Sequence, residues 1–267
     1  MSLFDGAQSL ADLALLAGLS ATRMAVAFMV LPIFSQETVP ALVRNAIFLS
    51  LGLLAMALQP AVSPLLWTTG QWMGLFAKEA WLGLCMGFGL ASFLWAFSAA
   101  GQVVDTKVAV ANAQLTDPLS GQQVSISGIF LGRLMGYLFM VGGGFTYLVG
   151  TLIESFRLWP LAQLSLKPSM VGVRWFEAQW ADLMTLTFLI AAPALVIMFA
   201  VDLVLGLINR FAPQLNVQSI SSSIKGLAST AIWLLMLSTL VQGFTDEWMA
   251  RIQHMLPALK TLVPIPG

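Results

Sequence analysis

The sequence predicts an all-α, multi-helix, membrane-associated protein built of helical hairpins. Three observations predict it. Of its 267 residues, 58% are apolar and only 9% are charged, against about 25% charged in an ordinary soluble domain. Mean hydropathy is +0.87. The apolar residues gather in six runs, each near the roughly 20 residues that a bilayer core demands of a helix. Twelve acids and twelve bases cannot cover a soluble surface over this length. The bulk of the chain must face lipid or apolar partner chains. A net charge of zero gives no electrostatic case for nucleic acid.

The first run, Leu13–Phe34, follows Asp5 and Asp12 with no basic residue ahead of it. That is not a secretory signal, so the run reads as a helix retained in the protein. Pro32 lies near its end, and Ser35–Pro40 separates it from Ala41–Leu66. Pro60 and Pro64 end or bend this second run near Gln59. Trp67–Glu79 reads as a connection to Ala80–Ala100. Gly101–Ser125 reads as a long loop, with turn formers at Asp117-Pro118 and Ser120-Gly121. A loop of that length is functional or disordered, and its low charge argues against plain disorder. Ile126–Ile153 follows, interrupted by Gly142-Gly143-Gly144. Three glycines weaken a helix by roughly 1 kcal/mol each and mark a break, a hinge or a tight contact. After Glu154–Asp182 come Leu183–Ile208, with Pro193 inside it, and Leu227–Phe244. The chain therefore divides near residue 180 into 1–180 and 181–267, four runs and then one hairpin. Lys and Arg are too evenly spread over the connections for the positive-inside rule to fix an orientation.

The connection Arg210–Lys225 is polar but nearly uncharged. Arg210 suits the C-terminal end of a helix dipole, and Pro213 stops that helix. Val217, Ile220 and Ile224 then recur at helical spacing, predicting a short amphipathic helix that packs on its apolar side and runs into the sixth run. The polar box Arg210, Pro213, Gln214, Asn216 and Lys225 suits a hydrated channel or a subunit seam, or else a solvated linker.

Other residues invite a role. Arg23, Arg133 and Asp202 are charges inside apolar runs. Each costs about 2.5–3.5 kcal/mol at a bilayer centre, so they pair, or their helices do not face lipid. Asp202, Gly206 and Asn209 share one helix face, as an ion relay or as a polar clasp to a neighbouring helix. Gly83 and Gly87, and Gly128, Gly132 and Gly136, recur every fourth residue and let another backbone approach closely, within the chain or from another subunit. Cys85 and His254 are each the only residue of their kind, which excludes an internal disulfide and a cysteine- or histidine-based metal site. Cys85 reads as a small core residue and His254 as a surface one. No HExxH, phosphate loop or Gly-x-Ser-x-Gly occurs, and no histidine stands ready to partner a nucleophile. The sequence gives no enzyme, no cofactor and no metal.

Several stretches together resemble the T/R subunit family of the type III secretion export gate, called SctT in injectisomes and FliR in flagella. They are "VPALVRNAIFLSLGLL" (39–54), "KEAWLGLCMGFG" (78–89), "GQVVDTKVAVANAQLTDPLSG" (101–121), "GGGFTYLVGTLIESFRLWPL" (142–161) and "RFAPQLNVQSISSSIK" (210–225). The fourth is similar to the injectisome branch, and flagellar members usually carry a more apolar central loop, so SctT is favoured. Gln218 departs from the family, where an aromatic residue is common. The resemblance implies a non-enzymatic core subunit of a closed helical pore in the bacterial inner membrane, standing largely on the periplasmic side, through which unfolded proteins pass. It implies R (FliP-like) and S (FliQ-like) subunits as partners, with the U (FlhB-like) switch protein, the V (FlhA-like) export protein and the needle or inner-rod subunits. Residues 1–180 would be R-like and 181–267 S-like. The segment Val108–Gln122 would be the plug, carried by Val108, Ala109, Val110, Ala111, Asn112, Leu115, Asp117 and Pro118. Gly142 and Gly143 would join the glycine runs in subunit packing. A rival class is a small secondary transporter with Asp202 and Arg133 as coupling charges.

Overall fold

The computed structural model describes residues 10–34, 39–58, 67–109, 125–163, 170–212 and 217–262. These form seven α-helices: α1 (Leu10–Val30), α2 (Ala41–Ala57), α3 (Thr69–Ala109), α4 (Ile126–Val141), α5 (Gly144–Leu158), α6 (Met170–Phe211) and α7 (Val217–Leu262). A single tight turn at Pro32–Phe34 follows α1. Four helices are long and apolar enough to cross a membrane, or five spans if α4 and α5 count as one broken span.

The apolar runs locate the helices, but three helices outgrow them. α3, α6 and α7 hold 41, 42 and 46 residues, about twice what a bilayer core needs. Trp67–Glu79, expected as a connection, is mostly the start of α3. Thr68 caps it reciprocally: its N–H donates to Gln71 Oε1 at 2.8 Å, and the Gln71 N–H reaches Thr68 Oγ1 at 3.4 Å. That Thr-x-x-Gln box satisfies two orphan donors and starts the helix eleven residues before its apolar run, at Thr69 against Ala80. Gly101–Ala109, expected as loop, continues α3. Pro193 lies inside an unbroken α6; it removes only the one hydrogen bond to residue 189. α2 ends at Ala57, with the Leu58 N–H bonding back to the carbonyls of Leu54 and Ala55, close to the end that Pro60 predicts.

The fourth run is two helices. α4 and α5 meet at a bend of 68°, and Gly143 at the bend has φ +77°. That left-handed conformation costs an L-residue about 1–2 kcal/mol. A Cβ on Gly143 would meet nothing within 4 Å, so the cost is conformational alone. Gly143→Ala is therefore expected to destabilise the detergent-solubilised protein by about 1–2 kcal/mol, with Gly143→Asn milder. Thermal unfolding of the three proteins in one detergent measures it. Gly144 is fixed differently, since a Cβ there would lie 2.5 Å from the Phe139 ring.

The chain folds as two compact units. The first holds α1, α2, α3 as far as Ser92, residues 139–180 and the end of α7 from Ala250. Its aromatic centre is Phe28, edge-on to Phe34 at 4.9 Å and stacked on Phe48 at 5.7 Å. Phe88 of α3 stacks on Phe176 of α6 at 4.4 Å. Arg251 of α7 donates to Gln179 Oε1 at 2.9 Å and to the Gly89 carbonyl at 3.4 Å. The second unit holds Phe93–Leu138 and Ala181–Met249. There Phe244 of α7 stacks on Phe93 of α3 at 5.0 Å and meets Phe97 at 5.8 Å. Leu131 and Met135 of α4 and Ala191 and Ala194 of α6 are fully buried.

Candidate functional site: buried ions, helix crossings and an inverted helix

Arg23 answers the question its position raises. It sits in the middle of α1 and is fully buried, as is Glu79 of α3. Its Nε donates to Glu79 Oε2 at 2.7 Å, one terminal nitrogen to Ser155 Oγ at 2.7 Å, and the other to the Trp159 carbonyl at 2.9 Å. The guanidinium carbon lies 3.8 Å from the Phe156 ring centroid. Lys78 directs its ammonium at the carbonyls of Pro160, Leu161 and Gln163, at 2.8, 3.2 and 2.9 Å. Three acceptors exhaust its three protons. Its Nζ also lies 2.8 Å from Glu79 Oε1, an ion pair between neighbouring residues. Two cations and one carboxylate thus tie α1, α3, α5 and the turn after α5 into one buried set.

That set was half legible. A charge in an apolar run requires a partner, but Lys78 and Glu79 were expected in the connection before the third run. Inside α3, Glu79 lies one turn before Gly83 on the side that meets α1. Gly83 and Gly87 make the meeting possible. A Cβ on Gly83 would lie 2.5 Å from the Arg23 carbonyl oxygen, and one on Gly87 2.6 Å from that of Ala27.

In the second unit a Cβ on Gly101 would lie 2.5 Å from the Gly128 nitrogen and 2.6 Å from its Cα, so two backbones touch. Gly132 faces Ser98 more loosely, at 3.4 Å, and Gly136 is buried. Gly83, Gly87, Gly128 and Gly132 thus pack helices of this chain on one another, the within-chain one of the two approaches that their spacing allowed. Gly142 and Gly143 are exposed. Asp105, one turn beyond Gly101, caps α4: its Oδ2 accepts the Ser127 N–H and the Ser125 hydroxyl, both at 2.8 Å. Ser125 Oγ in turn accepts the Gly128 N–H at 2.9 Å. Sequence reasoning missed this cap, because the acid comes from a different helix.

The start of α7 is inside out. Ile220 and Ile224 were expected on the packed side, yet they are 48% and 38% exposed, as Leu227 further on is at 75%, while Ser222, Lys225 and Ser229 are buried. In apolar surroundings the polar groups turn inward to find partners, and the apolar face points out. Lys225 pairs with Asp202 of α6 at 2.5 Å, so Asp202 is a clasp between two helices. Of the three charges expected to be buried, only Arg23 is. Asp202 is about half exposed, its side chain at 47%, and Arg133 is exposed, because both project from the outer faces of their helices. Arg210 is exposed at the end of α6. Pro213, Gln214 and Asn216 of the polar box lie outside the described residues. So do Val110, Ala111, Asn112, Leu115, Asp117 and Pro118 of the expected plug; Val108 is half-buried in the last turn of α3, and Ala109 ends that helix. Cys85 is half-buried and free. Among the described residues no group of three or more His, Cys, Asp or Glu could hold a metal.

The outer surface is strongly apolar. The candidate spans in α6 and α7 are each only 28% buried, against 72% for that in α3. Phe188, Leu189, Phe199 and Leu207 of α6 and Leu235 of α7 are more than half exposed. Such a chain is a helical membrane protein that needs apolar cladding and keeps its polar contacts within.

The profile of the bacterial export proteins, family 1, matches residues 14–250, and the chain belongs to that family. It is 32% identical over 247 residues to "Yop proteins translocation protein T" of Yersinia pestis, covering 91% of this chain and 92% of that one. It is 28% identical over 189 residues to "Secretion system apparatus protein SsaT" of Salmonella typhimurium, covering 70% and 73%. It is 30% identical over 199 residues to "Flagellar biosynthetic protein FliR" of Bacillus subtilis, covering 73% and 75%. The chain is thus a membrane protein of the type III secretion and flagellar export apparatus, a class that is non-enzymatic. This excludes the rival reading as a small secondary transporter.

Proposed function

We propose that the chain is a core subunit of an injectisome export gate, forming part of a closed helical pore through which unfolded proteins pass. The observation that carries this is the inverted start of α7 beside the mostly uncovered α6. Apolar side chains face outward along two helices about twice the length a bilayer requires. Lipid tails can clad only part of such length, so partner helices must clad the rest. The near-complete match to the Yersinia protein favours the injectisome branch.

On this reading, residues 1–180 act as an R-like part and 181–267 as an S-like hairpin beside R (FliP-like) and S (FliQ-like) subunits. The assembly stands largely on the periplasmic side of the inner membrane, near the U- and V-type export proteins and the needle or rod subunits. The central segment Val108–Gln122 is the plug. Support for its place comes from α3 and α4, whose ends at Ala109 and Ile126 flank it and are held by Asp105 and by the Gly101–Gly128 crossing.

Mild-detergent purification with mass determination tests the class: two other small membrane proteins should co-purify in unequal numbers. Deleting Val108–Gln122 is expected to make the closed gate leak small ions. Conductance measured on the intact complex in a planar bilayer checks this, and background conductance would remove the plug assignment.

A further inference from the structure

α4 has two faces of opposite kind. Leu131, Met135 and Gly128 are buried on one. The other carries Ile126, Ile129, Phe130, Arg133 and Tyr137, all exposed, in a stripe about 100° wide at 3.6 residues per turn. Ile126 and Tyr137 are 66% and 65% exposed. Arg133 stands at the centre of this stripe. Arg23 pairs with Glu79, Arg157 with Glu154 and Lys225 with Asp202. Among the described residues no carboxylate pairs with Arg133.

Each simple surrounding fails for this stripe. Water suits Arg133 but leaves two aromatic and two β-branched side chains wet on one face. Lipid suits those four, but it strands a guanidinium midway along the first half of a candidate broken span. A second copy of the chain, docked by a two-fold axis through the stripe, sets Arg133 against Arg133. A partner helix that is apolar apart from one acid satisfies all five residues. We infer that this face of α4 is the docking site for a membrane helix of another export-apparatus subunit, one that presents an Asp or Glu carboxylate to Arg133. Charge complementarity selects that occupant. The planar guanidinium fork binds a carboxylate through two parallel hydrogen bonds, so it fixes register as well as affinity. Tyr137, one turn further on the same stripe, brings a hydroxyl to the edge of the same contact. The inference rests on the gate reading for the existence of partner subunits, and adds which face one of them occupies and what it must carry.

The test uses the full chain in its assembled apparatus. A benzophenone amino acid replaces Phe130 or Tyr137, both aromatic and exposed, and the photo-adduct is mapped by mass spectrometry. The expected adduct lies on a membrane helix of another subunit, within a turn or two of an Asp or Glu. R133E should lower the amount of chain recovered in the complex at least about tenfold, with its amount in the membrane unchanged, and R133K should retain most of it. Changing the mapped acid to Arg should restore assembly of R133E. Adducts with lipid alone, with a second copy, with a segment lacking a carboxylate, or with nothing overturn the inference, as does R133E assembling like the parent. If the unmodified chain co-purifies with no other subunit, the gate reading fails as well. If it co-purifies and R133E is silent, only this docking site is lost.

Discussion

Glu79→Ala is expected to be the most damaging single substitution in the first unit, costing about 3–5 kcal/mol. The side chain is small and the cavity modest, so packing is not the reason. Glu79 is the only carboxylate in a buried set that also holds Arg23 and Lys78, and both cations are almost wholly out of water. Removing it leaves two like charges facing each other without an anion. Lys78 keeps its three carbonyls, but Arg23 loses the partner of its Nε and turns to Ser155 and the Trp159 carbonyl alone. The expected reading is a thermal midpoint in detergent lower by about 6–20 °C. Glu79→Gln keeps the shape and loses the charge, and should fall between. Replacing all three residues together, Arg23→Met, Lys78→Met and Glu79→Leu, should recover only part of the loss, because it removes the unpaired charges but strands the Trp159, Pro160, Leu161 and Gln163 carbonyls that Arg23 and Lys78 satisfy. A midpoint for Glu79→Ala within about 2 °C of the parent, with the triple variant no better, would show that the set contributes little.

The sequence made the helical class legible because apolar runs are a long-range signal that single residues cannot disguise. It also flagged Arg23, Asp202 and the Gly142–Gly144 break, since each violates the pattern around it. Pairing was harder to read. Arg23 and Glu79 are 56 residues apart, and no local spacing links them. The extent of α3 was misjudged because polar residues at 67–79 suggested a connection, although Thr68-x-x-Gln71 is itself a helix-start signal. The start of α7 misled for a physical reason. Its periodicity correctly gave a helix, but the side facing inward was chosen by the habit of soluble proteins. In a chain whose outer faces are apolar the rule inverts: Ser222 and Ser229 go in, and Ile220 and Leu227 go out. The glycine repeats showed a close approach but not to what, and the answer lay inside the chain.

Two glycines facing the same α3–α4 crossing should respond in opposite ways. Gly101→Ala adds a Cβ where the Ser127 carbonyl carbon and the Gly128 nitrogen would each stand 2.5 Å away. Neither is the end of a flexible side chain, so α4 itself must move. Overpacking of this kind costs about 1–3 kcal/mol. The displacement also pulls Ser125 and Ser127 off Asp105, and loss of a helix cap adds about 0.5–2 kcal/mol. Alanine's better helix propensity returns about 0.8–1 kcal/mol, too little to offset both. At Gly132 the nearest atom to a new Cβ is the Ser98 Cβ at 3.4 Å, which a small shift accommodates. There the propensity gain stands almost alone, and Gly132→Ala should be neutral or slightly stabilising. Thermal midpoints of the two variants, measured in one detergent, separate them. The same crossing holds the helix ends on either side of the central segment, so on the proposed gate reading Gly101→Ala should also raise ion leak through the assembled complex, whereas Gly132→Ala should leave it at the parent's level. Equal behaviour of the two variants would mean that the α3–α4 contact is looser than the Gly101–Gly128 distances require, and that the central segment is held by something other than this crossing.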